Sequence, residues 1–329
     1  GMGVLVLATA IVPKLGIRSH YLTQAETPGP VFSKLVPKQS QTSKILYTMY
    51  FVLTALEVLC LKIAGLPLYD ALIHSFSTAG TGGFSNRNAS VGAYGSVAVE
   101  MIITVFMLLF SVNFAIYFLL LTKKWREAVA SDELRFFLAV VLGSTAILTL
   151  VNSGVYASLW ESFRYTVFQI AAIISTTGFG TADFVLWPQF SQLILVLIMF
   201  CGACAGSTGG GMKCSRVLLL LRALRREVHR ITHPRSVEVV KLDGKLVSES
   251  TLHTLLVFLG GYVVTVFAAA LVISLDGQSF AVSFSAALTC VSNVGPGLEA
   301  IGPSGNFAAF SGLSKAVMSL CMIIGRLEI

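Results

Sequence analysis

Ten apolar runs alternate with polar connections along the chain, and their lengths follow a rhythm. Met2–Val12 is a partial run. A long run at Ile45–Ala64, a short one at Tyr69–Ser77 and a long one at Val97–Leu121 come next. Leu134–Val151, the short Phe163–Ile174 and Phe190–Ala203 repeat the order. Leu252–Ile273, the short Phe280–Leu288 and Phe307–Gly325 repeat it again. A helix that crosses a bilayer needs about 20 apolar residues, and a run of roughly 10 to 14 is more often re-entrant or buried. The pattern therefore predicts three units of helix, short re-entrant helix, helix.

Charge gives the units an orientation. Of the 23 Lys and Arg residues, 18 fall in segments 13–44, 122–135 and 211–250, the connections that join one unit to the next. Lys and Arg mark cytoplasmic loops, so the short runs dip in from the opposite face. Composition agrees: 55% of residues are hydrophobic, 12% are charged, and mean hydropathy is +0.81. This excludes a disordered chain and a nucleic-acid-binding domain, and the formal charge of +7 becomes a matter of topology. Six cysteines lie in or beside apolar runs or the glycine cluster and read as small buried residues. Cys201 and Cys204 form a CxxC spacing without a second pair or a histidine, which argues against a metal or redox centre. The chain begins and stops within or just after apolar runs, which leads us to expect a fragment of a longer protein.

Each short run ends in a turn of small residues. The first carries Thr78-Ala79-Gly80-Thr81-Gly82-Gly83, the second Ser175-Thr176-Thr177-Gly178, and the third Val291-Ser292-Asn293-Val294-Gly295. Gly83, Gly178 and Gly295 align at spacings of 95 and 117 residues, so the units form a duplicated module in one orientation. Irregular backbone is tolerated at membrane depth only beside water or within protein. Glycine permits backbone angles that aim carbonyls at a common axis, and rings of carbonyls replace the hydration shell of a cation. Coordination of a partly dehydrated cation is therefore expected from the carbonyls of Thr81, Gly82, Thr176, Thr177, Asn293 and Val294. No Asp or Glu lies in these turns, which favours a monovalent over a divalent ion. The alternative is that the glycines are helix caps or packing positions. Asp70, Glu161 and Asp276 stand near the starts of the short helices and read first as helix-start acids, with cation attraction second.

A second glycine cluster breaks the run from Phe190. Gly206-Ser207-Thr208-Gly209-Gly210-Gly211 cannot be a stable helix interior, since each glycine costs about 1 kcal/mol relative to alanine. A helix begun at Gln189 descends about 22 Å before the break, into the inner half of the bilayer. The expectation is a loop below the filter that opens and closes the path, with Lys213 and Arg216 reaching freed carbonyls. A GxxxG-type contact or a cytoplasmic turn is the alternative, and the order of a phosphate-binding loop is absent. Arg326 ends the last apolar run. An arginine there either snorkels to the surface or faces a polar cavity, and Glu328 is a candidate partner. Between Leu218 and Arg230, leucines alternate with Arg222, Arg225, Arg226 and Arg230 in a helix with a basic face, suited to a cytosolic partner, to anionic lipid, or simply to solvent.

These strings together resemble the TrkH/TrkG/KtrB family of bacterial potassium transporters in the Trk/Ktr/HKT superfamily. The matching residues are His74 to Thr78, Gly82 to Ser85, Ser175 to Phe179, Gly206 to Lys213, Asn293 to Gly297, Gly325 to Glu328 and Ala25 to Pro30. The resemblance implies an all-α integral membrane fold of M1-P-M2 modules around a pseudo-fourfold pore, with most of the first module missing. On that pattern, 1–44 holds the end of the first module and its linker. Residues 45–131 form module 2, 132–249 module 3 with its broken helix and basic extension, and 250–329 module 4. It further implies potassium uptake across the bacterial inner membrane, gating by the 206–211 loop with Lys213, and a pore-facing Arg326 near that loop. The implied partners are the lipid bilayer, a second copy in a homodimer and a TrkA/KtrA-like cytosolic subunit that binds nucleotides. No enzyme activity, cofactor or nucleic acid is implied. A sodium-permeable or sodium-coupled transporter of the same superfamily is the alternative. A secondary carrier would require inverted repeats, against the charge pattern. A membrane enzyme would require converging titratable groups, which the apolar runs do not offer.

Overall fold

The computed structural model describes residues 39–233 and 238–327, with side chains from Ile45 onward. The expected first-module residues through 38, the Ala25–Pro30 string and Glu328 lie outside the described residues. Among the described residues, twelve α-helices follow one another: α1 Gln39–Ile63, α2 Leu68–Ala79, α3 Val97–Ser111, α4 Phe114–Leu121, α5 Trp125–Ala130, α6 Asp132–Val151, α7 Leu159–Ile174, α8 Gln189–Cys201, α9 Cys214–Thr232, α10 Glu249–Ile273, α11 Phe280–Ser292 and α12 Gly312–Leu327. Two short strands, β1 Lys241–Leu242 and β2 Lys245–Leu246, pair as an antiparallel hairpin between α9 and α10.

Among the described residues, the spans Ile45–Ile63, Asp132–Gly154 and Glu249–Asp276 are long and apolar enough to cross a membrane. Only 22%, 28% and 28% of their apolar windows are buried inside the protein. Their remaining surface is apolar, with Phe51, Leu142 and Val264 well exposed, so it needs lipid around it. The short helices bury polar side chains. Ser75, Ser77 and Thr78 on α2, Thr166 and Gln169 on α7, and Ser283, Ser285 and Thr289 on α11 are all buried.

The short helices α2, α7 and α11 sit where the layers meet. Each packs on a long helix of its own unit: α2 on α1, α7 on α6 and α11 on α10. Two also reach across units, α7 onto α3 and α11 onto α8. A buried ion pair reinforces the first crossing, with Arg164 Nε on α7 lying 3.2 Å from Glu100 Oε2 on α3. Helix α7 starts a turn before its apolar run because the Ser158 side chain caps it, accepting from Glu161 N at 3.1 Å.

One expected element is corrected. Val97–Leu121 is not a single helix: α3 and α4 meet at 91°. Val112 turns extended, and the Asn113 side chain accepts from Ala115 N at 2.9 Å, capping α4. The backbone groups freed by this break go to the second glycine cluster. Cys204 N donates to Ser111 O at 3.0 Å, Thr208 N to Phe110 O at 3.2 Å, and Phe114 N to Gly206 O at 3.1 Å.

Candidate ion pathway

The ends of the three short helices share one backbone form. In α2, Thr81 N donates to Thr78 O and Gly82 N to Ser77 O, at 3.0 and 2.8 Å. In α7, Thr176 N donates to Ile173 O and Thr177 N to Ala172 O, both at 3.0 Å. In α11, Asn293 N donates to Cys290 O and Val294 N to Thr289 O, at 3.2 and 3.0 Å. These paired bonds make the Schellman ending, in which one residue adopts left-handed angles. Here that residue is Thr81, Thr176 or Asn293, with φ of 49°, 57° and 56°. Two residues on, Gly83, Gly178 and Gly295 also have positive φ, at 66°, 81° and 117°. A left-handed non-glycine residue costs roughly 1–2 kcal/mol. The same left-handed position recurs at the ends of all three short helices.

The turns touch in sequence. A Cβ placed on Gly83 would lie 2.1 Å from Thr177 O, and one on Gly178 would lie 2.3 Å from Val294 O. Gly295 meets nothing within 4 Å among the described residues. Thr81, Gly82, Thr176, Asn293 and Val294 line one cavity of about 340 Å³, together with Gly80 and Gly295. Thr78, Ala79, Gly83, Ser175, Thr177, Gly178, Val291 and Ser292 are not among the residues that line it. Ser175 Oγ and Thr177 Oγ1 are 2.7 Å apart, and Tyr262 OH is 2.6 Å from Ser292 Oγ.

The second glycine cluster closes one side of the cavity. Gly210 lines it and donates its N–H to Thr176 Oγ1 at 2.6 Å. Thr81 Oγ1 donates to Thr208 O at 3.2 Å. No side chain fits here: a Cβ on Gly209 would lie 2.9 Å from Ser175 O, and one on Gly210 2.8 Å from Ser292 O. Lys213 Nζ donates to Gly209 O, as expected of a freed carbonyl. Arg216 stacks its guanidinium over Phe258, 4.2 Å from the ring centroid. Ser207 donates its hydroxyl to Cys204 O at 2.6 Å, and Gly206 and Gly211 take left-handed angles.

Arg326 lines the same cavity, and its Nη1 donates to Thr208 O at 3.5 Å. It carries the only formal charge among the described lining residues. Gly325 brings it there, since a Cβ at that position would lie 1.8 Å from Val291 O. The cavity is thus edged by three strained turns and one glycine-rich segment, with a guanidinium beside that segment.

Around this centre lie residues that the sequence did not single out. Asn113 stands against Gly206, where a Cβ would lie 3.0 Å from its Oδ1, and Glu133 on α6 accepts from Ala205 N at 2.6 Å. Position in an apolar run hid the first, and adjacency to a charged connection hid the second. His74 bridges Asp70 O at 2.8 Å and Ser85 Oγ at 3.0 Å, and stacks on Phe179 of the second turn at 5.7 Å. Asp70 is more than a helix-start acid. It accepts from Asn86 Nδ2 at 2.7 Å and Tyr94 OH at 2.8 Å, and Arg87 lies 3.5 Å away. Those partners, the Tyr94 hydroxyl foremost, hold its carboxyl below the usual range. Glu161 accepts from Ala157 N at 3.2 Å, and Asp276 accepts from Ser311 N at 2.9 Å. The basic face of α9 is largely matched internally: Arg222 pairs with Asp132 at 2.8 Å, and Arg226 with Glu249 and Glu227. All six cysteines are free thiols.

A helical protein that crosses the membrane several times, with re-entrant helices ending at a shared cavity, defines the class. A family model described as TrkH, cation transport protein, matches residues 1–329. The Trk system potassium uptake protein TrkH of Salmonella typhimurium is 36% identical over 337 residues, covering 100% of this chain and 68% of that protein. The Trk system potassium uptake protein TrkG of Escherichia coli is 34% identical over 333 residues with the same coverage. The crystal structure of the potassium transporter TrkH from Vibrio parahaemolyticus superposes with a TM-score of 0.83 at 32% identity, covering 100% of this chain and 68% of that one. The chain belongs to the TrkH family of cation transport proteins, which are transporters and not enzymes.

Proposed function

We propose that this chain forms most of a potassium uptake pathway. The carbonyls at Thr81, Gly82, Thr176, Thr177, Asn293 and Val294 contribute to its selectivity filter. The observation that carries this reading is the left-handed residue repeated at Thr81, Thr176 and Asn293 around one cavity. Strain kept at equivalent places in three modules holds backbone oxygens where an ion can exchange water for them. Residues 45–131, 132–249 and 250–329 act as the three modules, and 1–44 joins them to a preceding one. The segment 206–211, with Lys213 beneath it and Arg326 beside it, is the gate. The relatives are named as parts of a Trk potassium uptake system, which supports a partner subunit; in this reading that partner is cytosolic and binds nucleotides, the membrane is the bacterial inner membrane and the assembly is a homodimer.

Rubidium and sodium flux through the intact transporter in proteoliposomes tests the filter. In Gly178→Ser the added side chain meets Val294 O in a left-handed backbone. Discrimination between the two ions is expected to fall on the order of tenfold. Unaltered discrimination with normal flux would remove the second turn from the filter. Substantial sodium flux through the unmodified transporter would favour the sodium-permeable alternative.

A further inference from the structure

Glu133 is buried at 6% exposure in the first turn of α6, far in sequence from the glycine cluster. One carboxylate oxygen, Oε1, accepts two backbone N–H groups: Ala205 N at 2.6 Å and Ser215 N at 3.1 Å. These two donors flank the 206–213 segment on either side. Ser215 lies in the first turn of α9, where N–H groups have no partner within the helix. Ala205 stands where the chain leaves α8. A single acceptor thus joins the two ends of the segment, and a charge-assisted bond of this kind is stronger than a neutral one.

The neighbouring residue faces the other way. Asp132 accepts from Arg222 Nη1 at 2.8 Å and from Asp243 N at 2.9 Å, while its own N–H donates to Asp243 Oδ1 at 2.7 Å. Two consecutive residues therefore hold α6 to the cytosolic hairpin on one side and to the glycine-rich segment on the other. Lys213, between the two pinned ends, adds a positive charge near Glu133 and donates to Gly209 O.

We propose that Glu133 is the positioning residue of the gate: its Oε1 clamps both ends of 206–213 and fixes the resting height of the segment against Thr81, Thr176 and Arg326. This rests on the gating reading above. For the segment to withdraw from the cavity, at least one of the two bonds has to lengthen. A shift of α9 or the hairpin reaches the clamp through Asp132 within one helical turn.

The cysteines beside the two donors report on the clamp directly. Cys204 and Cys214 are fully buried, next in sequence to Ala205 and Ser215. Cys60, on α1, is half-buried and is not among the residues lining the cavity. In the intact transporter with its cytosolic partner, alkylation by N-ethylmaleimide is followed at each cysteine by mass spectrometry. Glu133→Ala is expected to speed alkylation of Cys204 and Cys214 about tenfold, the loss of roughly one such bond. Cys60 is expected to stay at its original rate. Glu133→Gln keeps an acceptor oxygen and restores most of the protection. Unchanged rates at Cys204 and Cys214 would overturn the proposal. So would an equal rise at Cys60, which would make Glu133 a general stabiliser, or a failure of Glu133→Gln to restore protection. Rubidium flux separates the two readings. If deleting Gly209 and Gly210 raises flux while Glu133→Ala does not, the gate stands and the clamp falls. If neither variant changes flux, the gating reading fails, whatever the cysteines report.

Discussion

At the scale of single residues, the glycines divide by what surrounds them. Gly325 is pressed against the end of α11, with no room for a methyl group beside Val291 O. Gly260, in the middle of α10, has open space where a methyl group would sit, with nothing within 4 Å on that face. Gly325→Ala should destabilise the protein by about 3 kcal/mol, through overpacking against backbone that cannot yield. Gly260→Ala should leave stability equal or raise it by up to about 1 kcal/mol, through helix propensity. Thermal unfolding of the two variants in one detergent checks the contrast, and equal midpoints would contradict it. The sequence displays both glycines inside apolar runs and gives no sign of the difference. Proximity to a carbonyl contributed from another helix decides it, and that is a property of packing.

Elements show where hydropathy informs and where it misleads. The short helices were legible because a run too brief to cross a bilayer, followed by glycines, has few other physical solutions. The break in Val97–Leu121 was not legible, because every residue around Asn113 is apolar enough to sustain a helix. One side chain overrides that average by capping α4, and the glycine cluster stabilises the kink by taking up the freed N–H and C=O groups. Asn113→Ala removes the cap, which is worth about 1 kcal/mol. It should lower the melting temperature and speed alkylation at Cys204, whose N–H depends on the kinked carbonyl of Ser111. Asn113→Asp or Asn113→Ser, which retain a capping oxygen, should show neither change. Protection at Cys204 in the alanine variant would mean that the two breaks are independent. The basic face of α9 is visible in its arginines alone, but the acids that neutralise Arg222 and Arg226 come largely from other segments.

For the molecule as a whole, the repeat was visible in the alignment of Gly83, Gly178 and Gly295. The same alignment pairs Thr81, Thr176 and Asn293, but their shared left-handed conformation emerged only from the structure, since two threonines and an asparagine do not announce it. Position in the sequence also left Arg326 undecided between a surface and a cavity; in the structure Gly325 lets α12 approach α11, and Arg326 lines the cavity. A fixed positive charge beside a cation path raises the electrostatic barrier there. Arg326→Ala should therefore increase resting rubidium flux, by on the order of tenfold, and Arg326→Lys should keep it low. Flux unaltered by the alanine change would mean that the charge is not felt along the path. The turns also lean in one direction: Gly83 rests on the second and Gly178 on the third. Each therefore waits for a neighbour that the ribosome has yet to make. While the polypeptide is emerging, each of these two turns is left with an unfinished side until the next one follows it.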